Sequence, residues 1–373
     1  MKRSLLLAAR IVVGLLFIFS GLVKENDPIG FAYKLEEYFV VFHVQFLNGI
    51  SVGLAIFLCA LEVFLGVAIL LGAYARKIAL GLLLLIVFFT FLTFYSAFFK
   101  VVQSCGCFGD AIPLTPWASF SKDLILLVLI LVIYRYRNSI SPLVTSRGAQ
   151  NIIIGAALLF TIAFPVYVVR HLPVIDFLPY KVGASIPDEM RIPAGSSPNE
   201  YEVMYQMKNK STGETKKVSD KEYLKSGIWK DDNWEIVGEP QQRLVKKGFE
   251  PKIADLKISD AQGTDYTREI IENPFYNFVV VADQLDNTNE EALRHINALA
   301  VDMAENYNIR TVLLTSNAAQ DAENMSKQLK LVFEVFYADG VPLKMMVRAN
   351  PGVLLLRNGT VINKWNFRDM PDY

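Results

Sequence analysis

The chain has 373 residues, enough for two or three domains. Its 37 basic and 37 acidic residues cancel, so nothing in the charge favours a polyanionic partner, and nucleic acid is excluded from the expected partners. Three cysteines cannot build a disulfide framework, and a hydrophobic fraction of 53% with a mean hydropathy of +0.31 is high for a soluble protein.

Five apolar runs, near 5–23, 49–73, 77–99, 120–136 and 151–170, are long enough to cross a bilayer. The first follows Met1-Lys2-Arg3, yet Ser20-Gly21-Leu22-Val23-Lys24 is a poor cleavage site and more runs follow, so it is expected to stay as the first helix. Lys2 and Arg3, Arg76 and Lys77, and Arg135, Arg137 and Arg147 fall on one side if the spans alternate. That side is expected to be the cytoplasm of a bacterial inner membrane, with the N-terminus inside. Everything after Arg170 then faces the periplasm, as does the loop between spans three and four.

Residues 30–45 are too charged to span. They mix Phe31, Tyr33, Tyr38, Phe39 and Phe42 with Lys34, Glu36 and Glu37, which suits either an interfacial helix or an aromatic-rich loop. The loop after span three carries Ser104-Cys105-Gly106-Cys107-Phe108-Gly109-Asp110, with two of the three cysteines. After span five, Pro173, Pro179 and Pro187 mark a linker. Residues 200–245 alternate polar and apolar positions around the turn Lys210–Glu214 and predict a small β-rich insert, with Trp229 and Trp234 anchoring its packing.

From 246 the pattern becomes α/β. Strands are predicted at 277–282, 310–314 and 332–338, with helices at 289–307 and 318–329 between them. A final hairpin turns at Arg357-Asn358-Gly359-Thr360. The expected domains are 1–148, a transmembrane bundle; 149–172, a fifth transmembrane helix; 173–245, linker and insert; and 246–373, an α/β domain.

Two resemblances sharpen this. Arg10-x3-Gly14-x2-Phe17-x2-Ser20-Gly21-x2-Lys24-x2-Asp27-Pro28, Glu62, and Cys105-Gly106-Cys107-Phe108-Gly109 make residues 1–140 resemble the DoxX-like superfamily, within it the methylamine-utilisation (MauE-like) membrane protein family. That resemblance implies a four-helix membrane bundle linked to quinone or thiol redox processes, or to maturation of a disulfide-rich enzyme with a thioredoxin-like partner. Pro251-x3-Asp255, Gly263 and Asn350-Pro351-Gly352 make residues 246–373 resemble the thioredoxin fold, nearest the peroxiredoxin-like branches. It implies that Pro351 is the family's cis-proline. The family's cysteines would fall at Ala282-Asp283-Gln284-Leu285, and no cysteine follows Cys107. A thiolate is the nucleophile of disulfide exchange, so this domain cannot perform it. The whole architecture resembles DoxX family proteins of the Bacteroidetes type.

Cys105 and Cys107 are the redox candidates. A bridge across one glycine would be strained and easily reduced, while a static bridge or a pair of idle thiols that shape the loop is the plainer alternative. No histidine or third cysteine lies near them in sequence, so no metal site is expected. Cys59 is a lone membrane cysteine about one turn before Glu62, more an apolar filler than a redox partner. Arg10 and Glu62 are ionisable residues within spans, expected to pair with each other, locking the bundle or lining a quinone-sized pocket. Lys24 and Asp27 flank the outer end of span one, placed to bind an anionic head group or orient the cysteine loop, and Phe108 is expected to anchor that loop in the membrane.

The leading expectation is an integral membrane component of a redox or protein-maturation system, with the Cys-Gly-Cys pair as a thiol or quinone oxidoreductase centre. Its partners would be membrane lipids and a periplasmic protein docked through the thioredoxin-like domain. The alternatives are a non-enzymatic scaffold or assembly factor, and a transport or lipid-handling bundle around Arg10 and Glu62.

Overall fold

The computed structural model describes residues 2–102, 106–238, 240–246 and 248–371. Six helices come first: α1 (Lys2–Glu25), α2 (Pro28–Val41), α3 (Ser51–Leu71), α4 (Ala75–Phe99), α5 (Pro116–Arg135) and α6 (Arg147–Arg170). All but α2 carry segments long and apolar enough to cross a membrane, 20 to 27 residues each. This is a multi-pass membrane protein.

Helix α1 packs along α3 through glycine. A Cβ on Gly66 would stand 2.8 Å from the Gly14 carbonyl oxygen, and one on Gly21 would stand 2.5 Å from Val63 Cγ2. Small residues let two membrane helices approach to backbone contact, where dispersion replaces the hydrophobic effect that lipid cannot supply. Val13, Phe17, Ala55, Ile69, Leu82, Ile86 and Ile130 fill the space between the helices. Helix α2 is the helical alternative of the two expected for residues 30–45. Asp27 caps it, accepting from the Gly30 N–H at 2.8 Å, and Pro28 opens it. Its buried face, with Phe31, Leu35 and Phe39, joins the bundle core. Helix α6 contributes little to that core and has Pro165 in its interior.

Ala184–Leu256 form a compact unit of their own. It contains α7 (Ile186–Met190), β1 (Glu200–Asn209), β2 (Thr215–Ser219), α8 (Asp220–Ser226), β3 (Trp234–Ile236) and β4 (Gln241–Lys246). Strand β1 pairs antiparallel with each of the other three. Met207, Val218 and Ile228 form its small core, with Trp234 packed against them. Trp229, expected to join that core, is 52% exposed instead, because it falls in a one-turn helix whose buried position is taken by Ile228.

The remaining chain belongs to the same compact unit as the bundle, as do residues up to Gly183. It runs α9 (Thr267–Ile271), β5 (Tyr276–Val281), α10 (Glu290–Tyr307), β6 (Arg310–Thr315), α11 (Ala319–Leu329), β7 (Glu334–Tyr337), α12 (Gly340–Met346), β8 (Gly352–Arg357) and β9 (Thr360–Asn366). The sheet order is β7-β6-β5-β8-β9, with β5, β6 and β7 parallel and β8 and β9 antiparallel. Strand β5 is buried from Asn277 to Val281, as a central strand covered on both faces must be. Asn358 and Gly359 both take positive φ, 46° and 77°, which is what an Asn-Gly two-residue hairpin requires. The Asn350–Pro351 peptide bond is cis.

Candidate functional site

The loop from Gly106 to Asp110 is a tight turn. Gly109 N–H donates to the Gly106 carbonyl at 3.0 Å, and both glycines take positive φ, 65° and 52°. This geometry turns Cys107 and Phe108 down into the bundle. Ser20 Oγ on α1 donates to the Cys107 carbonyl at 2.9 Å. The Phe108 ring lies 5.5 Å from that of Phe19 and is 9% exposed, so it packs inward and is not the lipid anchor expected from its position. Cys105 lies outside the described residues.

Below the turn is a cavity of about 30 Å³, room for one or two waters. Ser20, Lys24, Glu62, Cys107, Lys122 and Asp123 line it, with Phe17, Phe89 and Phe108 among the apolar walls. The loop therefore dips far enough to share a cavity with mid-span Glu62. Lys122 brings its charge beside Cys107 and its Nζ lies 5.3 Å from the centre of the Phe108 ring. Asp123 holds Lys122 at 2.6 Å and accepts from Thr93 Oγ1 at 2.9 Å, so both its oxygens are used. Cys59 is fully buried and is not among the residues lining the cavity. A quinone ring is larger than this space.

Glu62 pairs with Lys24 and not, as expected, with Arg10. Lys24 is 3% exposed; its ammonium turns away from the head-group region and sits 4.9 Å and 5.2 Å from the Phe31 and Phe89 ring centres. Arg10 spends its donors near the other end of α3, on the carbonyls of Ile69 (3.2 Å), Leu70 (3.0 Å) and Ser141 (3.3 Å). Ile69 and Leu70 lie in the last turn of α3, where carbonyls are open to side-chain donors, and Ser141 lies in the segment before α6, so one guanidinium serves both. The transport alternative loses its premise, since Arg10 and Glu62 belong to different clusters.

Above the turn lies a residue the sequence did not single out. Arg348, 4% exposed, precedes the cis Asn350–Pro351 bond and reaches two separate elements of the membrane half. Its Nε meets Asp27 Oδ2 at 2.8 Å and Oδ1 at 3.1 Å, and its Nη2 meets Asp110 Oδ2 at 2.9 Å. Burial alone would push this guanidinium down, but Asp27 and Asp110 outweigh it and hold it above its ordinary value. Arg348 thus links Asp27 to Asp110, in the turn that holds Cys107. Two further contacts tie later parts of the chain to the ends of the membrane helices. Asn26 exchanges hydrogen bonds with the backbone of Ile175 at 2.7 and 3.0 Å, and His171 Nδ1 lies 2.5 Å from Asp369 Oδ1.

Between the sheet and the turn is a second cavity of about 420 Å³. Gly106, Gly109 and Asp110 line one side, and Gln284, Lys344, Met345 and Arg348 the other. Gln284 belongs to the Ala282–Leu285 segment, and Asn350 Nδ2 donates to its carbonyl at 2.7 Å. The segment where the thioredoxin resemblance would put cysteines therefore faces the turn that holds Cys107.

Comparison with known proteins agrees with the membrane half. Residues 2–135 match the family model "Methylamine utilisation protein MauE". Protein TlpB of Flavobacterium psychrophilum is 32% identical over 130 residues, 34% of this chain. The match spans about a third (35%) of that relative's length. The matched residues 2–135 include the Cys107 turn and the Lys24–Glu62 pair, so this part of the chain is similar to the MauE family.

Proposed function

We propose that this protein is a membrane component of a thiol redox or protein-maturation system, in which Cys105 and Cys107 exchange with the disulfide or dithiol of a partner on the periplasmic side. The C-terminal sheet is a cysteine-less thioredoxin-like domain that covers the loop and docks the partner. In support, its β7-β6-β5-β8-β9 order, with three parallel strands followed by an antiparallel hairpin, suits that fold, as does the cis bond before Pro351. The observation that carries the proposal is Arg348: from beside the cis-proline it grips Asp110, three residues from Cys107. A domain that has lost its own thiols but keeps this face against another pair of thiols serves that pair. The distribution of basic residues between the spans supports an orientation with both on the oxidising side, where a disulfide persists.

Membranes of the native host provide the test. A Cys107→Ser variant is expected to accumulate a mixed disulfide with a second protein, released by reductant and visible as a mass shift. Full function of a Cys105→Ser/Cys107→Ser double variant in that host would sink the thiol reading and leave the assembly-scaffold alternative, which needs the docking face and no thiol.

A further inference from the structure

The cavity under Cys107 contains a carboxylate with nothing to do. Glu62 lines it and is 2% exposed; Oε1 pairs with Lys24, and Oε2 has no hydrogen-bond partner. Behind it, within electrostatic reach, Glu25 at the end of α1 is fully buried with both carboxyl oxygens unpartnered. Buried polar atoms are ordinarily satisfied, and an exception calls for an explanation such as a bound water or a chemical role. The other cavity-lining carboxylate, Asp123, is saturated by Lys122 and Thr93. Among the described residues, Glu62 Oε2 is therefore the open carboxylate oxygen on the cavity that Cys107 also lines.

We propose that Glu62 is the proton acceptor for the Cys107 thiol, reached through the one or two waters the cavity can hold. This rests on the thiol role proposed above. In the step considered, Cys107 gives up its proton and attacks one sulfur of a partner disulfide as the thiolate. A Cys107–sulfur bond forms, the partner's S–S bond breaks, and its electron pair leaves with the departing thiolate. The proton of Cys107 passes to Glu62 Oε2 and then to that thiolate, which departs as a thiol. One disulfide replaces another, and no further oxidant is needed.

The charge balance favours this route. Lys24 and Glu25 on α1, Cys59 beside Glu62 on α3, and Lys122 and Asp123 on α5 are the titratable groups around the acceptor; α4 presents Ile86, Phe89 and Thr93. Moving a proton from Cys107 to Glu62 leaves the net charge of this set unchanged. Losing it to solvent would add a negative charge inside the bundle, where an unpaired charge is costly.

The test uses the full-length protein in detergent with Cys59→Ser and Cys105→Ser, so that Cys107 alone reports. The probe is 4,4′-dithiodipyridine, a small neutral disulfide whose thiopyridone product is followed by absorbance. Glu62→Gln is expected to slow the reaction about a hundredfold at neutral pH, the low end of general-base effects. The gap should close in alkali, where hydroxide takes the proton. A rate that is unchanged or faster would overturn the proposal, since removing a nearby negative charge and nothing else would speed thiolate formation. Because Glu62→Gln strands Lys24 and could impair folding, two measurements stand beside it. The charge-balanced Lys24→Met/Glu62→Gln variant should show the same loss, and the parent should react more slowly in D2O. An inverse or absent isotope effect there would also overturn the proposal. A Cys107 that is inert to the probe overturns the thiol role itself, whereas a reactive Cys107 indifferent to Glu62 overturns only the proton acceptor.

Discussion

Arg348 carries more of this structure than any other side chain outside the membrane. It shares its Nε–H between the two oxygens of Asp27 and donates from Nη2 to half-exposed Asp110, so the cost of losing it falls mainly on the less exposed Asp27. Arg348→Ala is expected to weaken the docking of the C-terminal sheet by about 3 kcal/mol, the low end for orphaning a buried charge. The readout is faster alkylation of Cys107 and earlier proteolysis of residues 257–371. Arg348→Lys should recover only part of this, because an ammonium cannot serve both carboxylates with the geometry of a planar fork. Asp283 provides a pH test. Burial raises its carboxyl above the ordinary range against the pull of Lys344. A raised folded-state value means the folded chain favours the protonated form, so stability falls as pH climbs past the ordinary aspartate value of about 3.9. Asp283→Asn should therefore be the more stable protein at pH 7, by thermal unfolding in detergent, with the difference vanishing near pH 4. Neither Arg348 nor its role was legible in the sequence. An arginine 321 residues from Asp27 and 238 from Asp110 leaves no pattern to read. Lys24 was visible but misplaced, since position along a helix does not reveal that a lysine ammonium folds back beneath Phe31 and Phe89.

At the scale of elements, the membrane helices and the strands of the C-terminal sheet were the most legible, because long apolar runs and short apolar runs bounded by turn residues are local signals. Pairing was not. Arg10 and Glu62 looked like partners on depth alone, yet Arg10 is taken up by two carbonyls at the end of α3 and by that of Ser141, and Glu62 pairs with Lys24. The α1–α3 seam makes a sharper statement than either charge cluster. A side chain at Gly66 would meet both the Gly14 carbonyl oxygen and Ile18 Cγ1 at 2.8 Å, neither of them easily moved. Gly66→Leu should cost at least about 1–3 kcal/mol and lower the yield of monodisperse protein in detergent. Gly53→Ala on the same helix, with nothing within 4 Å of its new methyl group, is the control and should leave yield unchanged or slightly improved.

At the scale of the whole molecule, the chain leaves one compact unit after Gly183 and returns to it at Lys257. Ala184–Leu256 have their own core around Met207, Val218 and Ile228, so the intervening segment is an insertion and not a spacer. Replacing 184–256 by a flexible linker is expected to preserve the Arg348 contacts, checked as unchanged protection of Cys107 from alkylation. Loss of that protection would mean that the insertion helps to hold the sheet down. The contact between Asp110 and Arg348 also has a consequence in time. They are 238 residues apart, so at about 5–20 residues per second the ribosome completes the cysteine turn roughly 10–50 s before it makes the arginine that closes over it. Each newly made molecule thus passes through an interval in which its thiols are exposed to whatever redox chemistry surrounds the membrane surface. The oxidation state in which the loop is first sealed is set during that interval, by the compartment and not by the finished fold.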